Sequence, residues 1–343
     1  MNKIRKLYDE KFVTSLLKKK VLPHYPDFID IKKIEFKAHK NHIWGKTYHV
    51  VFEFKTSFLT KDEKIKKLPI FCSAHFSKPR ENRRNLYIGL KYLWNNGFGG
   101  SYLTVPHPLF YSRKFKAAFY RGVKGKNFYQ YIKENNQEEI EKTIPKIASW
   151  FAKLHKLPSS RVFKKFNLEN SRIRTVIPGQ EFILKYIEKR YPSLHQTFAR
   201  FYDSFIRQEE EFFVRSKKRY LIHGDAHPEN IIKMSERKIA MIDLNDMCLS
   251  DFARDLGCFL QQFEYMAMRK IGDEVFIEKM KKLFLDSYLK KTEIELDEDL
   301  QKRIDNYYNW TATRTATFLL LKAKPELDRG RDLLEMVKNK INI

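Results

Sequence analysis

A chain of 343 residues with 43% hydrophobic residues, 28 Phe and 18 Tyr carries enough apolar material for two packed lobes, and only 12 Gly and 12 Pro exclude a long low-complexity or disordered stretch. The formal charge of +25 is uneven: 27 basic residues stand against 9 acidic ones over 1–125, and 40 against 33 in the remainder, so a basic first third could face nucleotide phosphates, nucleic acid or an anionic membrane, or simply reflect a lysine-rich usage. The cysteines, Cys72, Cys248 and Cys258, are odd in number and match no zinc spacing, which reads as the reduced thiols of a cytoplasmic protein. No apolar run reaches the roughly 18 residues of a membrane span, and the opening MNKIRKLYDEKF has no signal-peptide core.

Ile4, Tyr8, Phe12 and Leu16 fall four apart and predict one amphipathic helix over residues 2–20, docked on the first lobe in preference to lying on a membrane. Strands are predicted at Ile29–Phe36, Thr47–Phe54 (TYHVVFEF) and Leu68–His75, with the charged stretch Lys55–Lys67 as a loop. A helix over Arg80–Asn95 ends at Gly97, Gly99 and Gly100, and strands follow at Leu109–Tyr111 and Ala117–Val123. After the short connection Gly122–Gly125 the pattern turns helical: Phe128–Lys133, Glu138–Leu157, Glu181–Tyr191, Leu194–Val214, Arg254–Lys270, Asp273–Leu289, Glu298–Leu321 and Leu327–Lys340, interrupted by a strand-loop-strand unit over Tyr220–Asp243. The fold class is therefore α+β, with an antiparallel-sheet lobe over 1–123 and a larger, mostly helical lobe over 124–343.

The chemistry concentrates in Leu221–Gly257, LIHGDAHPENIIKMSERKIAMIDLNDMCLSDFARDLG. His223, Asp225 and Asn230 follow the first strand, and Asp243 follows the second. Phosphoryl transfer asks the protein for little covalent chemistry; it needs a divalent metal at the phosphates and an oriented hydroxyl. Mg²⁺ prefers hard oxygen ligands and keeps several waters, so one carboxylate, Asp243, and one amide oxygen, Asn230, suffice beside the phosphates. Asp225 is left to orient the acceptor hydroxyl and take its proton.

The run H-G-D-x-x-x-x-N followed by I-D resembles the catalytic segments of the aminoglycoside phosphotransferase and choline kinase superfamily, whose members have a protein-kinase-like fold. The downstream S-D-F-A-R-D-L-G resembles the family's G-D-x-x-x-D-L, with Ser250 where Gly is commoner. It implies structural, loop-bracing roles for Asp251 and Asp255, and for His223. Phe119–Gly125 and Ala152–His155 resemble the family's hinge and the end of its long helix. The resemblance implies ATP and Mg²⁺ as cofactors, a bilobal kinase-like architecture, adenine held by backbone at Arg121 and Val123, and a small hydroxylated acceptor. It makes nucleic acid an unfavoured partner and a membrane surface a lesser alternative.

The first lobe departs from the family pattern. The resemblance implies a phosphate-holding lysine on the third strand, but Ile70–His75 has none; Ser73 or His75 stands in its place, and Glu81 is the helix's only glutamate. The single turn glycine is Gly45. Lys46 beside it is the first candidate for the missing cation, ahead of Lys55 and Lys78. The acceptor region is expected around Asn245, Asp246 and Glu264, with Asp273 and Glu274 nearby, and His227 either braces the loop or lines the acceptor site. An acidic pocket would suit a cationic aminoglycoside, and Phe259, Phe263, Tyr265, Tyr307, Tyr308 and Trp310 could cage a quaternary ammonium if they were not core. A kinase acting on a macromolecule or lipopolysaccharide and a non-catalytic nucleotide-binding protein are the alternative functions.

Overall fold

A turn that only a positive φ can close sets up the first unit. Gly45, at φ +51°, and Lys46 link two long antiparallel strands, β1 (Phe28–Trp44) and β2 (Thr47–Thr60). The computed structural model describes residues 2–77, 83–158 and 166–341. By internal contacts the chain forms two units, Met1–Gly125 with Ile232–Asn245, and Lys126–Ile231 with Asp246–Ile343.

In the first unit, β3 (Ile65–Phe76), β5 (His107–Ser112) and β6 (Ala117–Arg121) complete an antiparallel sheet in the order β1-β2-β3-β6-β5. Strand alternation sorts its residues onto two faces. Val50, Phe52, Phe54, Cys72, Ala74 and Phe119 pack on one side with Ile4, Leu7, Val13 and Leu17. His49, Ser73, His75 and Tyr120 fall on the other by register. The N-terminal segment is not the single helix that its periodicity predicts. Lys3–Tyr8 forms a tighter 3-10 turn, and extended Asp9 then accepts the Phe12 N–H to cap α1 (Glu10–Lys20). The apolar stripe of α1 faces the sheet, which accounts for its amphipathic pattern without a membrane.

The predicted loop Lys55–Lys67 is mostly strand. β2 runs on to Thr60, with Thr56, Ser57, Phe58 and Thr60 buried, and β3 begins at Ile65 with Ile65, Lys66 and Lys67 exposed. Charged residues on an exposed strand face weaken the apolar signal that strand prediction relies on. β1 likewise runs past Phe36 to Trp44, through residues that are nearly all exposed. The helix expected over Arg80–Asn95 is described from Arg83 as α2 (Arg83–Leu93); Lys78 and Glu81 lie outside the described residues. Short strands β9 (Ile231–Lys233) and β10 (Ile239–Met241) return to this unit, and β10 runs parallel to β4 (Leu103–Thr104).

The second unit is helical: α3 (Phe128–Lys133), α4 (Gln137–His155), α5 (Gln180–Arg190), α6 (Pro192–Arg215), α7 (Ala253–Met268), α8 (Glu274–Thr292), α9 (Glu298–Leu321) and α10 (Leu327–Ile341). Strand β8 (Tyr220–Ile222) pairs antiparallel with β11 (Cys248–Ser250), a strand that the sequence reading left out. α7 and α9 approach so closely at Gly257 that an added Cβ would lie 2.5 Å from the Ile304 carbonyl oxygen. The α+β class stands as read from the sequence. Cys72, Cys248 and Cys258 are buried free thiols, and burial raises the pKa of Cys248 to about 12 and of Cys258 to about 11. Among the described residues no helix is long and apolar enough to cross a membrane.

One buried acid in this unit couples folding to pH. Glu209 is 3% exposed, and it accepts hydrogen bonds from the Ile173 N–H and the Tyr307 hydroxyl. Burial nevertheless pushes its carboxyl from 4.5 up to about 7, against those bonds and the nearby Arg254 and Arg172. The folded chain therefore holds this proton after the unfolded chain has lost it. The Glu209 contribution to stability is full below 4.5 and is lost as pH rises to about 7, amounting to roughly 3 kcal/mol. Glu209→Gln mimics the protonated acid, with Oε1 left to accept the Ile173 N–H and Nε2 able to donate to the Tyr307 hydroxyl oxygen, and it cannot titrate. Denaturant unfolding across this range is expected to show the wild type losing stability relative to the variant; a constant difference would refute the assignment.

Candidate functional site

The loop after β8 is held from below by one carboxylate. Asp255 near the start of α7 is fully buried, and it accepts the N–H of His223 at 2.7 Å and of Gly224 at 2.9 Å. His155 at the end of α4 lies 3.1 Å away through Nε2, and its Nδ1 meets the Tyr288 hydroxyl at 2.9 Å. Burial would raise the Asp255 carboxyl, but the His155 and His223 interactions outweigh it and hold the pKa below the usual value. Gly224, at φ +82°, turns the chain where a Cβ would lie 2.3 Å from the Asp246 carbonyl oxygen. The same turn is tied down by Arg254, which donates to the carbonyls of Gly224 and Asn170, while Asn170 Nδ2 donates to Asp246 at 2.9 Å. Asp251 is spent elsewhere: its carboxylate accepts from Arg303 at 2.7 Å and from the Ala253 N–H.

This frame presents Asp225. Its N–H donates to His223 Nδ1 at 3.3 Å, and its carboxylate lies 3.4 Å from His227 Nε2 with 45% of the side chain exposed. Partial burial would raise the Asp225 carboxyl. The hydrogen bond and charge of His227, with the fields of His223 and Arg314, overcome that effect and hold it well below the ordinary carboxylate range. Asn230 Nδ2 faces the Asp225 carbonyl at 3.0 Å, the Asp225 carboxylate at 3.2 Å and His227 Nε2 at 2.9 Å. The two amide hydrogens serve the Asp225 carbonyl and carboxylate, which leaves Oδ1 as a hard acceptor suited to a magnesium ion. His227 braces this loop and also lines a hollow of about 670 Å³ together with Asp225, Tyr265, Arg269 and Arg314. A larger hollow of about 860 Å³, beside Lys217, Lys218 and Arg219, contains none of the predicted site residues.

In the first unit Asp243 adopts a left-handed conformation at φ +56° and accepts from Asn245 Nδ2 on Oδ1. Oδ2 remains available to a cation. Arg83 from α2 donates to Asn245 Oδ1 and, at 3.0 Å, to His49 Nε2. His49 stacks on His75 across β2 and β3 with ring centroids 4.5 Å apart. Burial, then the charges of Arg83 and Lys40, lower the pKa of His49 to about 3 and of His75 to about 4. Both rings are therefore neutral at pH 7. Ser73 is 3% exposed on the same sheet face. Lys46 is exposed at the hairpin tip. Arg121 ends β6 with its guanidinium 5.8 Å from the Tyr25 ring, and the following Gly122 N–H donates to the Pro69 carbonyl, with Val123 next in an irregular segment. Among the described residues no three His, Cys, Asp or Glu side chains gather to hold a metal by themselves.

The sequence matches the phosphotransferase enzyme family over residues 58–288. The chain belongs to this family. The match takes in Asp225, Asn230 and Asp243 and begins after the Gly45–Lys46 turn. No curated protein sequence matches the chain significantly. Among solved structures, this phosphotransferase is similar to Plasmodium vivax ethanolamine kinase (14% identity, 89% of this chain and 81% of that chain, TM-score 0.55). It is also similar to the spectinomycin phosphotransferase APH(9)-Ia in complex with ADP and spectinomycin (13%, 97% and 98%, 0.53) and to the streptomycin–ATP–APH(2'')-IIa ternary complex (12%, 96% and 97%, 0.54). At these identities the likeness is one of fold, and it is the protein-kinase-like fold.

Asp246, Glu264, Asp273 and Glu274 do not line the Asp225 hollow. Glu264 pairs with Lys281, and Asp273 caps α8 through the Phe276 N–H. Phe259, Phe263, Tyr307, Tyr308 and Trp310 are buried core residues, whereas Tyr265 lines the Asp225 hollow. The sequence reading missed His49, Arg83 and Arg314, whose partners lie in distant segments, and Arg269, whose place beside Asp225 shows only in the folded chain. A first test concerns the frame. Asp255→Ala leaves two buried N–H groups and His155 without their acceptor, and is expected to destabilise the phosphotransferase by about 3–5 kcal/mol. A denaturation midpoint that stays at the wild-type value would remove Asp255 from this role.

Proposed function

We propose that this phosphotransferase moves the γ-phosphate of ATP to a hydroxyl of a small molecule, with Asp225 as the residue that orients the hydroxyl and takes its proton. The observation that carries the reading is the Asp225 carboxylate, exposed to a hollow of small-molecule size and held ionised by His227. A carboxylate with so low a pKa is a weak base. It suits a transfer in which bond breaking leads and the hydroxyl proton departs late. In that step the acceptor oxygen forms a bond to the γ-phosphorus, the bond from phosphorus to the bridging oxygen breaks, and ADP leaves with the electron pair.

Asn230 and Asp243 are the proposed ligands of Mg²⁺, through Oδ1 and Oδ2. Bound with the triphosphate, the ion would neutralise phosphate charge. On the nucleotide side we assign the base to the backbone at Arg121 and Val123, and the phosphates to the Gly45–Lys46 turn and the polar sheet face that carries Ser73. The cation placed beside that face is Arg83, on a helix, where the family pattern has a lysine on a strand. Asn245 orients Asp243 through its amide, and Asp246 is bonded to Asn170.

Asp225→Asn is expected to lower transfer to acceptor or water by about 10²- to 10⁴-fold while nucleotide affinity, read by direct titration, stays at the wild-type value. Turnover that survives this change would exclude Asp225 from the role. Arg83→Gln should weaken magnesium–ATP binding by about tenfold through Asn245 and Asp243. An unchanged dissociation constant would leave Arg83 as a packing residue.

A further inference from the structure

The hollow beside Asp225 is furnished for an anion. Its cations are Arg269, Arg314 and Lys322, and its acids other than Asp225 are Glu229 and Glu326. Glu326 is already neutralised, since it pairs with both Lys322 and Arg329. Glu229 lies 4.0 Å from His227 with 53% of its side chain exposed. Arg314 donates to the Ile177 carbonyl at 3.3 Å and lies over the Trp310 ring at 4.9 Å. Arg269 lies over the Tyr265 ring at 5.5 Å. Among the described residues no carboxylate lies within ion-pair distance of either guanidinium. These are two fork-shaped donors of the kind that bind oxyanions, in the hollow where the reacting carboxylate sits.

The same geometry argues against a cationic acceptor. A quaternary or primary ammonium would need acids or open aromatic faces. Tyr265 already carries Arg269 and Arg329 over its ring, at 5.5 and 5.4 Å, and Tyr129 carries Lys133 at 5.2 Å. An added cation would meet like charge at both rings.

We propose that the acceptor is a small hydroxylated molecule bearing an oxyanion, a carboxylate or a phosphate, held by Arg314 and Arg269 with its hydroxyl at Asp225. The proposal rests on the phosphotransferase reading of Asp225 and adds the charge of the substrate. The hydroxyl oxygen gains the phosphoryl group, its proton passes to Asp225, and the acceptor's own anion keeps its bonds throughout.

The test is a panel of matched alcohols incubated with the full chain, magnesium and ATP, scored by ADP release: hydroxy acids (glycerate, gluconate), sugar and polyol phosphates (glucose 6-phosphate, glycerol 3-phosphate), their uncharged parents (glycerol, glucose) and cationic analogues (ethanolamine, glucosamine). Turnover is expected with an anionic member, and the two anionic arms separate carboxylate from phosphate. In Arg314→Gln and Arg269→Gln, checked for folding by circular dichroism, KM for that member should rise about 10- to 100-fold with kcat little changed, and Arg314→Lys should recover part of the loss. Calorimetric titration of the same anions in the presence of ADP reads binding where turnover is slow. Turnover confined to uncharged or cationic members, an unchanged KM in both variants, or no anion binding at millimolar concentrations each overturns the proposal. Cationic turnover abolished by Asp225→Asn overturns it while the reading of Asp225 stands; ADP release that persists in Asp225→Asn removes that reading.

Discussion

One buried carboxylate organises the second unit. Asp255 takes two successive backbone N–H groups, from His223 and Gly224, and a histidine from the end of α4. The tight turn at Gly224 leaves its amides pointing inward, where an unsatisfied donor would be costly. An ionised acceptor supplies that satisfaction with charge-assisted strength. It also fixes where the next residue emerges, so the position of Asp225 follows from a hydrogen-bond arrangement closed 30 residues further along the chain. Stability and site geometry here share a single interaction.

The polar sheet face of the first unit is built differently. A stacked pair of neutral histidines occupies the sheet face, and the nearest positive charge arrives from a helix as Arg83. A guanidinium is planar and can bond two groups at once, and Arg83 does so, meeting His49 and Asn245. A strand lysine offers a mobile point charge; this arrangement offers a fixed fork that also orients the neighbour of Asp243.

Much of the architecture could be read from the chain. Amphipathic spacing located every long helix of the second unit, with α9 at Glu298–Leu321 as expected, because helices that bury one face repeat it every turn. The grouping of His223, Asp225, Asn230 and Asp243 was visible because these residues fall within one short stretch of the chain. What stayed hidden depends on distant pairing. Nothing local marks Arg83 as a partner of Asn245, 162 residues away, or Arg314 as a neighbour of Asp225. Charged strand faces concealed half of the long hairpin, and helical periodicity could separate core aromatics such as Phe259 from Tyr265 only once the packing was known. The pairing of Glu264 stayed hidden for a related reason: it is acidic in sequence but neutralised by Lys281 in space.

The three thiols give the molecule a further property. All are buried, Cys258 at the wall of the Asp225 hollow, and desolvation keeps them protonated far above neutral pH, so the nucleophilic thiolate is scarce. Oxidants and alkylating probes should therefore find the native surface inert. A cysteine introduced at an exposed position would be the sole labelling point, and a fluorophore attached there would report on its own surroundings without background from the natural residues.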